Sequence, residues 1–210
     1  STVRRNPFAM SKASWAIVVI AYNRPQSVKR LVQSLLRANY DADKVDLVIS
    51  IDFSGADEVS AAATAIEWPH GQKRVLAHGR KLGLKDHVLS CGDLSADYEA
   101  ICVLEDDLVV SPEFYRFSKA ALEHFGNFEW VDGISLYSHL WNPYANRPFS
   151  PIDDGMDSYL MQVPSPWGQV WTHQKWQGFR EWLRHQEGGE FWNEKLPPAL
   201  ETWSDRSWPK

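Results

Sequence analysis

The chain has 210 residues, 44% of them hydrophobic, enough for one well-cored domain and too few for two large ones. Lysine and arginine number 22 against 27 aspartates and glutamates, a net charge of −5, which argues against a nucleic-acid or anionic-membrane surface and leaves small molecules or neutral polymers as partners. The longest apolar run, WAIVVIA, is about a third of the ~20 residues that span a bilayer, and no basic-apolar leader precedes it.

Residues 1–14 lack periodicity and read as a lead-in, with a single domain expected over 15–210. AIVVIA at 16–21 has the unbroken apolar, β-branched character of a strand buried on both faces. In NRPQSVKRLVQSLLRA, Val28, Leu31, Val32, Leu35 and Leu36 follow helical spacing, with Pro25 suited to the first turn. VDLVISID predicts a second strand and ADEVSAAATAIEW a helix that stops before Pro69. KRVLAH predicts a third strand, leading through GRKLG into the helix LKDHVLSCGDL. AICVLE predicts a fourth, followed by the helix SPEFYRFSKAALEHF with Ser111 as N-cap and Pro112 at its first position. Alternation of this kind predicts an α/β fold with a mostly parallel sheet covered on both faces.

After Gly126 the pattern loosens: GISLYSH and SYLMQV are candidate strands, THQKWQGFREWLRHQ a helix opened by Thr172, and the tail is loop-rich. Of the 11 tryptophans most fall after residue 125, where they serve either core packing or stacking on sugar faces. The two cysteines, Cys91 and Cys102, make no disulfide framework, although a single bridge stays open, so a cytoplasmic setting is expected, with peripheral attachment to a membrane also open.

Ligands of open parallel sheets bind beyond the carboxyl ends of the strands. AYNRP, IDFSG and EDD fall at three such ends and should share one cleft, bringing Asn23, Arg24, Asp52, Asp106 and Asp107 together. Three consecutive acids, Glu105 to Asp107, at the end of a buried strand repel one another and resist desolvation, so a positive partner is expected. A hard divalent cation suits them, because Mg2+ or Mn2+ is held by one or two carboxylates and completes its shell with phosphate oxygens. Ordinary helix-entry acids beside a basic side chain are the alternative. The loop HGRKLGLKDH, with Arg80, Lys81 and His87, either contributes to the same pocket or is a solvated basic turn in which His87 is an ordinary surface histidine, and no catalytic role is assigned to His87.

The segments VVIAYNRP, ISIDFSG, LGLKDHV and above all VLEDDLVVSPEFYRF resemble glycosyltransferases of the GT-A fold, a Rossmann-like sheet flanked by helices, and most closely the N-acetylglucosaminyltransferase I family with its O-mannose-directed relatives. The resemblance implies a UDP sugar as donor, Mn2+ or Mg2+ as cofactor, and a saccharide or other hydroxyl acceptor. It implies a nucleotide-sugar-binding half over about 15–125 and an acceptor half over about 126–210, in a family whose domains continue beyond the last residue of this chain. By the same resemblance Asp107 is the direct metal ligand, Asp106 and Glu105 contact the donor's sugar and ribose, and Arg24 and Asp52 recognise the nucleoside. A helix-start arginine and a strand-end turn aspartate are the plainer readings of that pair. Asn23, Arg80 and Lys81 complete the donor side.

The implied reaction is an inverting transfer in which a carboxylate takes the acceptor proton. The resemblance points to ETWSDRSW for that base, Asp205 first and Glu201 second, and to the turn in VPSPWGQVW for the acceptor side, with Trp167 as sugar platform and Gly168 allowing close approach. A nucleotidyltransferase, which also handles phosphates with acids and a divalent ion, and a non-catalytic carbohydrate-binding domain are the rival readings.

Overall fold

The computed structural model describes residues 13–142, 146–156, 158–161 and 165–186. In chain order the first half contains β1 (Ala13–Ala21), α1 (Pro25–Leu36), β2 (Val45–Ile51), α2 (Glu58–Thr64), β3 (Lys73–Ala77), α3 (Leu84–Asp93), β4 (Tyr98–Glu105) and α4 (Phe114–Phe125). The second contains β5 (Ile134–Ser135), β6 (Trp141–Asn142), β7 (Arg147–Pro148), β8 (Gln169–Thr172) and α5 (His173–Gln186). Six strands form one sheet in the order β3-β2-β1-β4-β8-β5, while β6 and β7 make a separate two-stranded ribbon. The first four pair in parallel, and β8 runs antiparallel to both β4 and β5.

Successive side chains of a strand face opposite ways, and in β1 both directions are covered. Ile17, Val19 and Ala21 pack with Leu31 and Leu35 of α1, Val59 of α2, and Phe114 and Tyr115 of α4. Ala16, Val18 and Ile20 pack on the other face with Cys91 of α3 and with Ile101 and Val103. This is why β1 has no polar alternation. The cysteines belong to these two different clusters and both are free, so no bridge joins them; burial pushes the Cys91 thiol up to about 11 and the Cys102 thiol up to about 12. Among the described residues no helix is long and apolar enough to cross a membrane.

Helix boundaries differ from the sequence expectation where side chains or carbonyls are diverted. Helix α2 ends early because the Lys73 ammonium donates to the carbonyls of Ala63 (3.2 Å) and Thr64 (2.6 Å), capping the helix that the periodicity carried to Trp68. Helix α4 starts after Glu113, not after Ser111: the Pro112 carbonyl accepts from the Asn39 N–H (2.9 Å), outside the helix, and Ser111 instead closes a turn onto the Glu113 N–H (3.2 Å). Thr172 does open α5, its Oγ1 accepting from the Lys175 N–H (3.4 Å).

The second half departs further. GISLYSH contributes only the two residues of β5, and SYLMQV forms no strand over its described residues. The strand of this half that pairs with β4 is β8, whose four residues are too few to show a period.

Gly92 of α3 faces α5, and a Cβ there would lie 2.0 Å from Cζ2 of Trp176, a ring that is buried and tied by its Nε1–H to Asp93 Oδ1 (2.8 Å). Gly92→Ala is therefore expected to destabilise the protein by about 1–3 kcal/mol through overpacking, read as a lower urea midpoint at unchanged m value.

Candidate functional site

The carboxyl ends of β1, β2, β3 and β4 form one edge of the sheet, and the parallel ladder continues past them into the loops. The Asp52 N–H donates to the Ala21 carbonyl (3.0 Å), the Asp106 N–H to the Ile20 carbonyl (3.1 Å) and the His78 N–H to the Ile51 carbonyl (3.0 Å). The chain runs outward from β1 to β2 and β3 and then returns to place β4 on the other side of β1, so the exits of β1 and β4 flank a topological switch point.

Asn23 and Arg24 leave β1 there, exposed in the turn before α1. Glu105, Asp106 and Asp107 leave β4 beside them. Arg24 is the positive partner of the triplet: its Nη2 donates to Asp106 Oδ1 and its Nη1 to Asp107 Oδ2 (3.0 Å). The loop behind the acids is tied to α1 by the Arg30 guanidinium on the Asp107 carbonyl (3.4 Å) and by the Val110 N–H on Ser34 Oγ (3.1 Å).

One guanidinium against three carboxyl groups leaves the cluster short of positive charge. Burial, then repulsion from Asp107 and Asp106, raises the Glu105 carboxyl above the ordinary carboxylate range, only partly offset by Arg24. Burial likewise raises Asp106 in spite of its pairing with Arg24. Asp106 is 1% exposed and its Oδ2 has no hydrogen-bond partner. A buried acceptor without a donor, next to a half-exposed carboxylate at Asp107, fits a hard cation that takes one or two protein carboxylates and fills its shell from a phosphate ligand. Among the described residues no three His, Cys, Asp or Glu side chains are grouped to hold a metal by themselves.

Asp52 is also buried, but its carboxylate is engaged by backbone: Oδ1 accepts from the N–H of Phe53 (2.9 Å) and of Leu82 (2.7 Å), and Oδ2 from that of Gly83 (3.0 Å). Burial raises this acid, but the N–H bonds and nearby His87 outweigh it, and the group lies below its ordinary value. Asp52 thus pins the loop between β3 and α3, where Gly83 takes φ +83° and where Arg80 and Lys81 stand exposed. Lys81 Nζ lies 5.6 Å from the centre of the Tyr22 ring, which brings the exits of β1 and β3 together.

His87 is buried, against the expectation of a surface histidine. Its Nε2 meets Ser50 Oγ at 2.8 Å, and His78 Nε2 meets the same hydroxyl at 3.2 Å. Burial lowers its pKa to about 4, with Asp52 opposing and His78 reinforcing the shift. Neither Ser50 nor His78 was singled out by sequence reasoning. The signal available was a polar Ser50 in an otherwise apolar strand.

On the far side of β4, Trp167 is 44% exposed, edge-on to Tyr137 with ring centres 4.5 Å apart. Gly168 takes φ +88°, and a Cβ there would come within 3.1 Å of Leu136 and 3.4 Å of Leu104, the residue before Glu105. Since Val103 pairs with Gln169, the Trp167–Gly168 turn stands beside the acidic end of β4. Asp205 and Glu201 lie outside the described residues. Surface depressions lined by Tyr98, Asn127 and His173, and by Asp93, Trp176 and Arg180, lie at the amino end of β4 and along α5, away from the acids.

Acids at one strand end and a basic loop at its neighbours' exits meet at the switch point of this α/β sheet, the edge where open parallel sheets bind their ligands. The family model for glycosyl transferase family 2 matches residues 16–127, just over half of the chain, and the chain belongs to that family. A mannosyltransferase, PcManGT from Pyrobaculum calidifontis in complex with GDP-Man and Mn2+, superposes with a TM-score of 0.50 at 16% identity, over 62% of this chain and 37% of that one. S. aureus TarS 1–349 gives a TM-score of 0.46 at 13% identity over 64% and 43%. In its complex with UDP it gives 0.48 at 14% over 75% and 46%. The chain spans less than half the length of each of these proteins. At such identities the likeness is one of fold, and the architecture is the Rossmann-like GT-A arrangement. No curated protein matches the sequence.

Asp52→Asn would set an amide N–H2 against backbone donors and is expected to cost about 1–3 kcal/mol, with hydrogen exchange accelerated at Leu82 and Gly83, the two amides it holds. The neutral state of His87 makes stability pH-dependent. Between the ordinary histidine value of 6.5 and about 4 the unfolded chain binds a proton that the folded one refuses. Stability is full above that window and falls as pH drops through it, by up to ~3 kcal/mol from this group, while His87→Gln should flatten the slope in chemical denaturation run across the same range.

Proposed function

We propose that the chain transfers a sugar from a nucleotide-sugar donor, a UDP sugar, to a hydroxyl of a saccharide or other acceptor, with inversion at the anomeric carbon and with Mn2+ or Mg2+ at the acidic cluster. The observation that carries this reading is the Asp106–Asp107 pair, clasped by Arg24, at the switch point of a sheet built from the family 2 segment. The GDP-Man and Mn2+ carried by the Pyrobaculum calidifontis mannosyltransferase of the same fold support a nucleotide sugar and a divalent ion. The motif VLEDDLVVSPEFYRF favours kinship with N-acetylglucosaminyltransferase I, and with it an N-acetylhexosamine or hexose as the transferred group.

Asp107, with Asp106 behind it, would hold the ion, which when bound neutralises charge on the departing diphosphate. The remaining tasks fall to the chain itself. Arg24, Arg80 and Lys81 supply positive charge to the nucleotide, and Asn23 offers hydrogen bonds at the same strand exit. Asp52 keeps the basic loop in place through the Leu82 and Gly83 amides. The exposed Trp167 ring offers a flat apolar face to an acceptor sugar, and Gly168 lets that turn lie close against β4. In the transfer the acceptor oxygen forms a bond to the anomeric carbon as the bond to the diphosphate oxygen breaks. The hydroxyl proton goes to a carboxylate, assigned to Asp205, and UDP departs with the electron pair.

Asp107→Ala is expected to abolish the Mn2+ dependence of UDP binding in calorimetry. Asp205→Asn should leave that binding intact while lowering UDP release in the presence of donor and acceptor by about 100-fold or more. Unchanged turnover in Asp205→Asn would remove the base assignment, and diphosphate release from a nucleoside triphosphate would move the protein to the nucleotidyltransferases.

A further inference from the structure

Arg24 makes more of the acidic motif than a contact with a nucleoside requires. A guanidinium is a planar, permanently charged fork, and here its two prongs span neighbouring carboxylates, Nη2 on Asp106 Oδ1 and Nη1 on Asp107 Oδ2. Those are the residues toward which a divalent ion would be drawn. The fork leaves one acceptor over: Asp106 Oδ2, in a residue 1% exposed, has no hydrogen-bond partner. The pairing is uneven. The Asp106 limb ends in a buried carboxylate, whereas the Asp107 limb joins side chains that are 51% and 42% exposed. Ion pairs so exposed are weak and exchange readily.

We propose that Arg24 is an internal counter-ion that keeps Asp106 and Asp107 closed to a bare divalent cation and yields them when a nucleoside diphosphate arrives with it, so that ion and nucleotide bind together and the ion does not bind first. The inference rests on the donor-site reading given above. Its physics is that of like charges: an ion entering alone must sit beside the guanidinium or expel it into water without a partner. A diphosphate changes the balance by offering the fork a second bidentate anion. The ion then takes the carboxylates that Arg24 leaves, including the unpartnered oxygen of Asp106. The backbone of Asp107 need not move, because Arg30 holds its carbonyl from α1 (3.4 Å).

The test is Mn2+ titration of the full chain followed by the electron paramagnetic resonance of free Mn2+, with and without UDP and corrected by the same titration of UDP without protein, in the wild type, Arg24→Met and Arg24→Lys. The wild type should bind Mn2+ about tenfold more tightly with UDP than without, and Arg24→Met should bind bare Mn2+ about tenfold more tightly than the wild type does, with little further gain from UDP. Arg24→Lys, which keeps one charge but cannot span both acids, should fall between them. Circular dichroism and thermal unfolding establish that the variants are folded. If Arg24→Met binds bare Mn2+ no better than the wild type while the wild type still takes up Mn2+ with UDP, the counter-ion role is overturned and the donor site stands. Should the variants fail to fold, the wild type decides alone, since equal Mn2+ affinity with and without UDP also overturns it. If the wild type binds Mn2+ with neither UDP nor GDP, the donor-site reading falls and this inference with it.

Discussion

Carboxyl groups packed at the tip of a buried strand are stable only beside positive charge, and in this protein that charge comes from the neighbouring strand's exit. Strands β1 and β4 lie side by side, parallel and in register, with Ile20 opposite Glu105. The chain therefore leaves both at the same height, and Arg24 meets Asp106 and Asp107 without any long loop to carry it there. Burial, with repulsion among the acids added to it, holds the Glu105 and Asp106 carboxyls above their ordinary range, and Arg24 offsets only part of this. On the proposed reading, a cationic ligand would meet the remaining demand for positive charge at this ion pair.

Around that pair the polar residues divide by what their atoms touch. Asp52, Ser50, His78 and His87 bond to one another or to backbone and hold the exits of β2 and β3 in place. Asn23, Arg80, Lys81 and Trp167 stand exposed at the rim. Ser50, Asp52 and His87 are buried and His78 partly so, each with partners inside the protein, as buried polar groups without partners are costly. The exposed set stands in solvent, and its role toward a ligand belongs to the proposed reading. Membership of glycosyl transferase family 2 covers the segment carrying both sets up to residue 127, while Trp167 lies on the β8 side, beyond it.

The tryptophans illustrate the same division. Trp171 and Trp176 pack edge to face, 5.2 Å between centres, and join α5 to the sheet through α3. Trp167, four residues before Trp171, keeps its ring outward at the acidic end of β4. Composition alone leaves burial and exposure equally open to the same residue type, and the placement of β8 separates the two.

Much of the first half was legible in the sequence because its signals are local. An unbroken apolar run marked β1 and short apolar-rich segments the other three parallel strands, helical spacing marked α1, start signals marked a helix at α4, and the acidic triplet between ICVL and LVV marked a strand end in need of positive charge. What the chain order could not reveal depends on partners distant in sequence. The Lys73 ammonium shortens α2, Asn39 draws the Pro112 carbonyl out of α4, and the four-residue β8 exists because β4 offers it an edge. The role of Asp52 in clamping Leu82 and Gly83, the burial of His87 under Ser50, and the choice of Arg24 as counter-ion were likewise decided by tertiary structure. Hydrogen bonds and ion pairs reach across the fold over a few ångströms, whereas periodicity and propensity record only the nearest neighbours along the chain.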